Sequence, residues 1–405
     1  MSDLTTRVVP SLASVAVARW NALDHGSSPF TEHGFLVALE RSGSVGTAAG
    51  WEPHYVLVER GGAARAEIAP AGGSGGGSGP DLVGAVAAYV KTHSYGEYIF
   101  DWAWARGAEQ AGLAYYPKLV VAVPMTPATG PRLLVARDMS RGPVVERLVA
   151  GVKALAERRG CRSIHWLFTT AAEQAELQDH GFMPRASFQY HWRHAGERDF
   201  EGFLGRMTSR RRKQIRKERA RVHAAVGAIE WVPGASLTAE DVATIDRFYR
   251  QTTINHYGND YLQPGFFAEV VAAQPERVLW ARAQRDGRTI AGALYFATEQ
   301  ALYGRYWGCD EQVEFLHFEA AYYAGIERCL ARGTGLFEAG AQGEHKLIRG
   351  FVPAPTYSSH WFRHPGFGGA VGQFLREEER AVRRHMAELA TLLPFRCEDE
   401  DGQAG

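Results

Sequence analysis

Three ionisable residues spaced four apart, His93, Glu97 and Asp101, stand in the segment HSYGEYIFD (93–101), at the end of a predicted strand. An imidazole or a carboxylate in such a cluster can take a proton from an ammonium group and so activate an amine as a nucleophile. The alternative is a hydrogen-bonded core network that satisfies backbone donors. We therefore treat His93 and Asp101 as candidate proton acceptors and Glu97 as a candidate substrate-binding residue.

A second concentration of polar residues lies in GAQGEHK (340–346), which follows a predicted strand. Two glycines bracket a turn that presents an acid, an imidazole and an amine at consecutive positions, and consecutive side chains cannot all point into one pocket. We predict that His345 or Glu344 acts as a base and that Lys346 or Arg349 binds an anion. A surface turn with three solvated charges is the alternative interpretation.

Two predicted strands carry tyrosines beside a cation. Tyr303, Arg305 and Tyr306 lie on one of them. Tyr303 and Arg305 share a face, because alternate residues of a strand point the same way. The corresponding set in the first half of the chain comprises Tyr115, Tyr116 and Lys118. We predict that both sets bind substrate; the alternative is that the rings fill the core.

The most basic stretch is SRRRKQIRKER (209–219), on a helix predicted over 205–221. Cations three and four residues apart on a helix repel one another by about 0.2–0.5 kcal/mol per pair, so this density favours an anionic partner. The other interpretation, a solvated helix face paired with carboxylates elsewhere, fits the neutral overall charge equally well. The candidate anion or RNA contacts are Arg210, Arg211, Arg212, Lys213 and Arg216.

The chain that must position these residues has 405 amino acids, too many for one ordinary core. Its 45 basic residues cancel 45 acidic ones, and a hydrophobic content of 45% argues against wholesale disorder. No apolar run approaches the roughly 18 residues that a membrane helix needs. The four cysteines form no CxxC pair, which argues against a disulfide scaffold or a zinc module. We expect a cytoplasmic protein with no membrane span and no metal site.

The order of predicted elements occurs twice along the chain. In each half, the hydrophobic pattern predicts a hairpin, a further strand, an amphipathic helix and a last strand. The first hairpin turns through the Gly/Ser-rich loop 71–80 and the second at Asp286-Gly287. The amphipathic helices are predicted over 143–160 and 313–332. We predict two related domains, an N-terminal one over 1–195 and a C-terminal one over 196–405 that opens with the basic helix.

Several strings carry a more specific signal than this order. Beside the segments above they are WEPH (51–54), YYPKLVVAV (115–123), LYGRYWG (302–308), LHFEAAYYAGIE (316–327) and LIRGFVPAPTYSSHWF (347–362). With them the chain resembles the bacterial Fem-like family of peptidoglycan biosynthesis/recognition proteins, a branch of the GNAT N-acyltransferase superfamily. The resemblance implies an α/β (α+β) fold of tandem GNAT-like domains, each a mixed, mostly antiparallel sheet flanked by helices. Ala320-Ala321 departs from the family, in which a polar residue or a cysteine is expected.

The same resemblance implies transfer of an acyl or aminoacyl group from acyl-CoA or aminoacyl-tRNA to a small-molecule amine, with no tightly bound cofactor. GNAT-type donor sites cradle a pyrophosphate at a helix N-terminus. The loop before the helix at Pro143 supplies the candidate residues Arg137, Ser140, Arg141 and Gly142. The basic helix would bind tRNA or a nucleotide-linked cell-wall precursor. The alternative function is a non-catalytic module that recognises cell-wall precursors or other anionic ligands.

Overall fold

The computed structural model describes residues 4–61, 80–255, 260–340 and 343–396. The Gly/Ser-rich loop predicted over 71–80 lies outside the described residues except for Pro80. The backbone divides into two compact units. Unit 1 comprises Met1–Gly26, Phe30–Arg185 and Tyr357–Leu375, and unit 2 comprises Ser27–Pro29, Ala186–Thr356 and Arg376–Gly405.

Unit 1 is built on a mixed sheet. Its strands are β1 (Leu4–Val9), β2 (Glu52–Arg60), β3 (Asp81–Lys91), β4 (Lys118–Val121), β5 (Leu134–Val135) and β6 (Ser163–Thr169). β1 to β4 pair in sequence order and antiparallel, and β5 pairs with β3. β4 and β6 are parallel, which requires a crossover connection. Residues 357–362 of β13 (Val352–Phe362) run antiparallel to β6.

The helices of unit 1 are α1 (Val17–Asn21), α2 (His33–Arg41), α3 (Trp102–Gln110), α4 (Arg141–Arg158) and α5 (Ala171–Asp179). The crossover between β4 and β6 contains α4, whose apolar stripe of Val144, Leu148 and Val152 is fully buried. A Cβ on Gly84 of β3 would lie 2.4 Å from a Val144 methyl group, so the close packing of α4 on β3 requires a glycine there. The helix predicted from the spacing of apolar residues is confirmed.

The strands of unit 2 also pair in a mixed pattern. Its strands are β7 (Met183–Arg193, from Ala186 onward), β8 (Glu230–Pro233), β9 (Val278–Arg285), β10 (Arg288–Ala297), β11 (Ala301–Cys309) and β12 (Leu336–Glu338). β8 to β11 form an antiparallel meander in sequence order. β11 and β12 are parallel, and β7 pairs antiparallel with β12.

The helices of unit 2 are α6 (Phe200–Gly205), α7 (Ser209–Val226), α8 (Ala239–Asn255), α9 (Phe266–Ala273), α10 (Leu316–Phe318) and α11 (Ala324–Arg332). A π-helical turn over Glu319–Tyr323 joins α10 to α11, so the two form one interrupted helix where the sequence predicts a regular one. The unusual pair Ala320-Ala321 lies in that turn. Residues Glu344–Arg349 form a short 3₁₀ helix. The last described helix is α12 (Pro365–Ala390), which belongs to unit 1 up to Leu375 and to unit 2 from Arg376 onward.

The element order predicted twice is present in both units. The hairpin β2–β3, strand β4, helix α4 and strand β6 of unit 1 correspond to the hairpin β9–β10, strand β11, helix α10–α11 and strand β12 of unit 2. In each unit an antiparallel meander ends in one parallel pair across a helical crossover. The predicted α/β (α+β) fold, in which each half has mixed, mostly antiparallel strand pairing flanked by helices, is confirmed.

Each unit includes a strand from an unexpected part of the chain. The observed units divide at Arg185/Ala186, whereas the sequence analysis placed the boundary between residues 195 and 196. Residues 357–375, assigned above to the second domain, join unit 1 through the pairing of β13 with β6. Such a long-range pairing leaves no trace in local hydrophobic periodicity, which is why the pattern of elements did not indicate it.

Candidate functional site

The parallel pairing between β11 and β12 ends part-way along β11. Pairing joins residues 301–303 to residues 336–338, while β11 continues to Cys309. In open α/β sheets, ligands bind outside the carboxyl ends of parallel strands. The segment that contains Glu344, His345 and Lys346 begins just beyond β12, so unit 2 places it at this end of the sheet.

Lys346 lies where the ladder ends. Its side chain is 1% exposed, and Nζ donates a hydrogen bond of 2.7 Å to the Gly340 carbonyl oxygen. Gly340 has a φ of +86°, and a Cβ there would lie 3.9 Å from both the Lys346 Nζ and the Gly304 carbonyl oxygen on β11. The amine therefore lies beside the end of β12 and the middle of β11.

The surroundings of Lys346 disfavour its charged form. Burial, together with the nearby charge of Arg305, lowers the pKa of Lys346 to about 7. Within the described parts of the chain, no carboxylate forms an ion pair with it. A large fraction of the amine is then neutral at pH 7 and can accept a proton, whereas the sequence analysis assigned anion binding to this residue.

His345 and Glu344 are both exposed. His345 Nε2 lies 2.9 Å from the Tyr322 hydroxyl oxygen, and its ring lies 5.7 Å from the ring of Phe318. Partial desolvation of the imidazole, and then the charge of Arg349, lower the pKa of His345. The imidazole is therefore neutral at pH 7 and shares a hydrogen bond with a phenol, an arrangement that can transfer a proton.

Arg349 is occupied by contacts within unit 2. Its guanidinium donates to Glu218 Oε2 at 3.2 Å and to the His345 carbonyl oxygen at 2.8 Å. The Tyr323 hydroxyl donates to the same Glu218 oxygen at 2.6 Å, and the guanidinium lies 3.4 Å from the ring centroid of Phe318. This buried ion pair anchors the 3₁₀ helix to α7, so Arg349 is a positioning residue in this arrangement.

The tyrosines of β11 fill the core. Tyr303 is 1% exposed, and its hydroxyl donates to the Ser27 carbonyl oxygen at 3.2 Å. The ring of Tyr306 lies 5.4 Å from the rings of Tyr249 and Phe267. Of this predicted set, Arg305 acts on the candidate site, through its charge on Lys346.

Unit 1 contains a buried ionic network around Lys118. Its ammonium group donates to Glu97 at 2.8 Å, to Ser94 at 2.7 Å and to Asp101. The side chain of Lys118 is 0% exposed, and those of the two acids are at most 4% exposed. Glu97 and Asp101 therefore both bind the Lys118 ammonium group. This arrangement agrees with the alternative interpretation of the segment as a hydrogen-bonded core network.

The charges of this network shift one another. Burial raises the pKa of Glu97 to about 7 against the opposing charge of Lys118. Burial also lowers the pKa of Lys91 to about 7; this amine lies 3.7 Å from Glu97 and 3.6 Å from the ring centroid of Trp51. Burial would raise the pKa of Asp101, but the charge of Lys118 holds it below its usual value. Asp101 therefore stays ionised.

Two further predicted residues join the network and one does not. The Tyr115 hydroxyl donates to Asp101 at 2.6 Å, and the Tyr116 hydroxyl lies 2.9 Å from Ser94 Oγ. His93 Nε2 instead lies 3.3 Å from the Ala49 carbonyl oxygen. The segment between β3 and α3 is a loop, so spacing of four does not bring His93 to the two acids.

The loop before α4 is neutralised by carboxylates. Arg141 donates to both oxygens of Glu176, at 2.7 and 2.9 Å, and Arg137 lies 3.3 Å from Asp24. Ser140 is the N-cap of α4 and Gly142 follows in its first turn. A pyrophosphate at this helix N-terminus would compete with Glu176 and Asp24 for the two arginines.

The basic segment forms α7. This helix begins at Ser209, whereas the predicted helix began at residue 205. Part of it is paired: Arg216 with Glu201, Arg219 with Glu319 and Arg221 with Glu314. Arg212 donates to the carbonyl oxygens of Gly205 and Met207, and Arg211 donates to Gln214. These cations support the interpretation of a helix face paired with carboxylates and backbone acceptors.

A different face of α7 keeps its charge. Arg210, Lys213 and Lys217 are exposed and, in the described portion of the protein, make no ion pair or side-chain hydrogen bond. Residues at spacing i, i+3 and i+7 share one side of a helix. We call these three residues the basic face.

Three residues of these sites were not predicted from the sequence. Lys91 ends the apolar run VGAVAAYVK, and Glu218 is an acid isolated among cations. In each case the charge of the residue differs from the character of its neighbours in the sequence. Such a residue can be expected to point into the protein towards a partner of opposite charge. Tyr322 carried no such signal, because a tyrosine on an apolar helix stripe is ordinary.

Among the described residues, no group of three or more His, Cys, Asp or Glu is arranged to hold a metal ion. No helix among the described residues is both long enough and apolar enough to span a bilayer.

The FemAB-like family, described as peptidoglycan biosynthesis/recognition, matches residues 11–397. Among solved structures, the chain is similar to FemX, with 10% identity over 90% of this chain and 100% of that one and a TM-score of 0.52. It is also similar to a conserved protein of unknown function from Bacteroides thetaiotaomicron VPI-5482 (10% identity, 89% and 99% covered, TM-score 0.47). A third similar structure is a tandem GNAT protein of the clavulanic acid biosynthesis pathway, with 11% identity over 89% of this chain and 99% of that one and a TM-score of 0.42. No curated protein matches the chain.

Proposed function

The chain belongs to the FemAB-like family, and from that premise we propose that it transfers an acyl or aminoacyl group from an activated donor to an amine, with Lys346 as the base. The observation that carries this proposal is a buried lysine with a pKa of about 7 at the carboxyl end of the parallel strand pair. A general base is most effective when its pKa lies near the working pH. Lys346 meets that condition.

The proposed step needs one proton acceptor and one proton donor. Neutral Lys346 takes a proton from the attacking ammonium or amine nitrogen, which forms the bond to the donor's carbonyl carbon. The carbon–sulfur bond of a thioester or the carbon–oxygen bond of an ester then breaks, and the leaving group takes up a proton. The hydrogen-bonded pair of Tyr322 and His345 can supply that proton.

The test presents both donor classes to the purified chain. Acetyl-CoA and a mixture of aminoacylated tRNAs are each incubated with a lysine-containing glycopeptide, and the glycopeptide is examined by mass spectrometry. We expect its amine to gain the mass of one acyl or aminoacyl group as the donor is consumed. Binding of the glycopeptide without turnover of either donor would instead support the non-catalytic recognition module.

We propose aminoacyl-tRNA as the donor, because the basic face of α7 offers Arg210, Lys213 and Lys217 without protein partners among the described residues. Each phosphate that a cation neutralises releases counterions, and binding then depends on salt. The alternative donor, acyl-CoA, would use the loop of Arg137 and Arg141, where both guanidinium groups already contact carboxylates. The unpaired cations favour the RNA.

Reversing the basic face should separate the two donors. The affinity for tRNA should decrease less steeply with salt in the triple variant Arg210→Glu, Lys213→Glu and Lys217→Glu. We expect the negative slope of log affinity against log salt to become shallower by about 2–3 units. Filter binding over a salt series measures the slope. The matched control is Arg376→Glu, Arg380→Glu and Arg384→Glu, which reverses three exposed arginines on α12. Unchanged tRNA binding by the first variant would remove RNA as the donor and leave acyl-CoA.

A further inference from the structure

Unit 1 has a groove of about 610 Å³ that the proposed reaction does not use. Its walls include the rings of Trp102, Tyr115 and Tyr116 and the side chain of Leu113. Arg106 and Glu109, both exposed residues of α3, also line it. The groove therefore combines aromatic rings with one cation and one anion.

The tyrosine wall of this groove is held in place from behind. Tyr115 donates to the buried carboxylate of Asp101, and Tyr116 is hydrogen-bonded to the buried hydroxyl of Ser94. The Lys118 ammonium lies 5.6 and 5.8 Å from the two ring centroids. Neither side chain can move to another χ1 rotamer without breaking a hydrogen bond to Asp101 or Ser94. The wall is thus preorganised, which lowers the entropy cost of binding a ligand.

An aromatic loop continues this surface. Tyr95 and Phe100 are 48% and 53% exposed, whereas Glu97 and Asp101 between and beside them are 4% exposed. Tyr98 is held at a φ of +60°, a conformation that is unfavourable for a residue with a side chain. The ring of Tyr95 lies 5.1 Å from that of Trp102, which links the loop to the groove. The ionic network therefore anchors a loop that exposes its rings.

The chemistry of the lining selects among ligands that stack on aromatic rings. A nucleic acid strand needs a positively charged groove, and here Arg106 and Glu109 cancel. An anionic membrane surface needs clustered lysine and arginine, which this lining lacks. A sugar ring has an apolar C–H face that covers an aromatic ring, and hydroxyl groups that pair with a guanidinium donor and a carboxylate acceptor. That combination matches the groove.

We propose that the groove binds a saccharide, with the rings of Trp102 and Tyr116 covering the apolar faces of sugar units and with Arg106 and Glu109 bonded to hydroxyls. The buried Lys118 network then serves as the support of this binding surface. The assignment does not depend on the transfer reaction, because it concerns binding within unit 1 and involves no residue of the Lys346 site.

The test titrates the full chain with chitotetraose, cellotetraose and maltotetraose. Saturation-transfer NMR detects contact with the sugar protons, and tryptophan fluorescence gives the affinity. We expect at least one of the three sugars to bind, and Trp102→Ala or Tyr116→Ala to weaken that binding by about tenfold or more. Tyr116→Phe keeps the ring and should stay within about threefold of the parent. Phe374→Ala, which removes an exposed ring elsewhere in unit 1, is the matched control.

Thermal unfolding of each variant shows whether a loss of binding reflects a loss of fold, and Tyr116→Phe preserves the packing if Tyr116→Ala does not fold. Lys346→Met should bind the sugar normally, so failure of the transfer proposal and failure of this one are distinguishable. Binding of none of the three sugars would overturn the proposal. So would sugar binding that Trp102→Ala and Tyr116→Ala leave unchanged, or binding of a single-stranded RNA oligonucleotide that the same two variants abolish.

Discussion

Lys346→Met is expected to lower turnover at pH 7 by about a hundredfold or more, because it removes the proposed proton acceptor. The parent enzyme's rate should rise with pH and level off above about 7, the pKa of Lys346. The variant should lose that rise. Lys346→Arg keeps a positive charge but cannot deprotonate, so it should be as inactive as the methionine variant. Steady-state rates between about pH 5.5 and about pH 9 measure all three effects.

The same substitution should not weaken the fold. The folded-state pKa of Lys346 is below its unfolded value. The folded state therefore binds fewer protons than the unfolded state between about pH 7 and about pH 10.4. The contribution of Lys346 to stability therefore increases as pH rises through that window. At pH 7 the buried amine destabilises the folded state. We expect Lys346→Met to melt at the same temperature as the parent or higher.

Lys153→Met provides the matched control for Lys346. Lys153 is a partly exposed lysine that also donates to a backbone carbonyl oxygen at 2.7 Å, that of His180. Its replacement should leave turnover within about twofold, because surface substitutions change stability little and touch no proposed step. A Lys346→Met variant that keeps its turnover and its pH profile would show that another group accepts the proton. An unfolded variant would show that the lysine is structural.

Lys118→Met is expected to destabilise unit 1 by about 3–5 kcal/mol, the cost of breaking a buried ion pair by removing one partner. The substitution leaves Glu97 and Asp101 close together in the core without their shared cation. Loss of the shared cation disfavours ionisation of both carboxylates in this low dielectric. Urea unfolding, followed by far-UV circular dichroism, measures the loss.

The acid dependence of stability gives a second readout for the same network. The folded pKa of Asp101 is below its unfolded value of about 3.9, so its contribution is present above that pH and is lost as pH falls through the folded value. Lys118→Met should remove this contribution. Adding Glu97→Gln and Asp101→Asn to Lys118→Met should recover part of the stability, because neither carboxylate then remains buried without the Lys118 cation. A loss below about 1 kcal/mol for Lys118→Met would contradict the network's structural role.

The helices were predictable because the information is local. The stripe of Val144, Leu148 and Val152 repeats at helical spacing, and the basic run 209–219 contains no helix breaker. The repeated order of hairpin, strand, helix and strand was equally local. The final strands were not predictable in this way, since the partner of residues 357–362 lies almost 200 positions earlier in the chain, at 163–169.

The candidate sites show where local reasoning stops. Spacing of four suggested that His93, Glu97 and Asp101 act together, but the loop between β3 and α3 turns His93 towards Ala49. In the basic helix, composition could not separate the paired Arg216 and Arg219 from Lys213, which makes no ion pair with any described residue. Each distinction depends on which carboxylate another element brings near.

The sequence by itself determined the fold class, the duplicated order of elements, and the two polar segments at which charged residues gather. Only the tertiary structure decided what those charges do. Lys346 and Lys118 are the same amino acid, yet burial beside Arg305 lowers the pKa of the first to about 7, whereas Glu97 and Asp101 raise that of the second above its usual value. A pKa depends on desolvation and on the sign of the nearest charges, and both are set by residues far away in the chain.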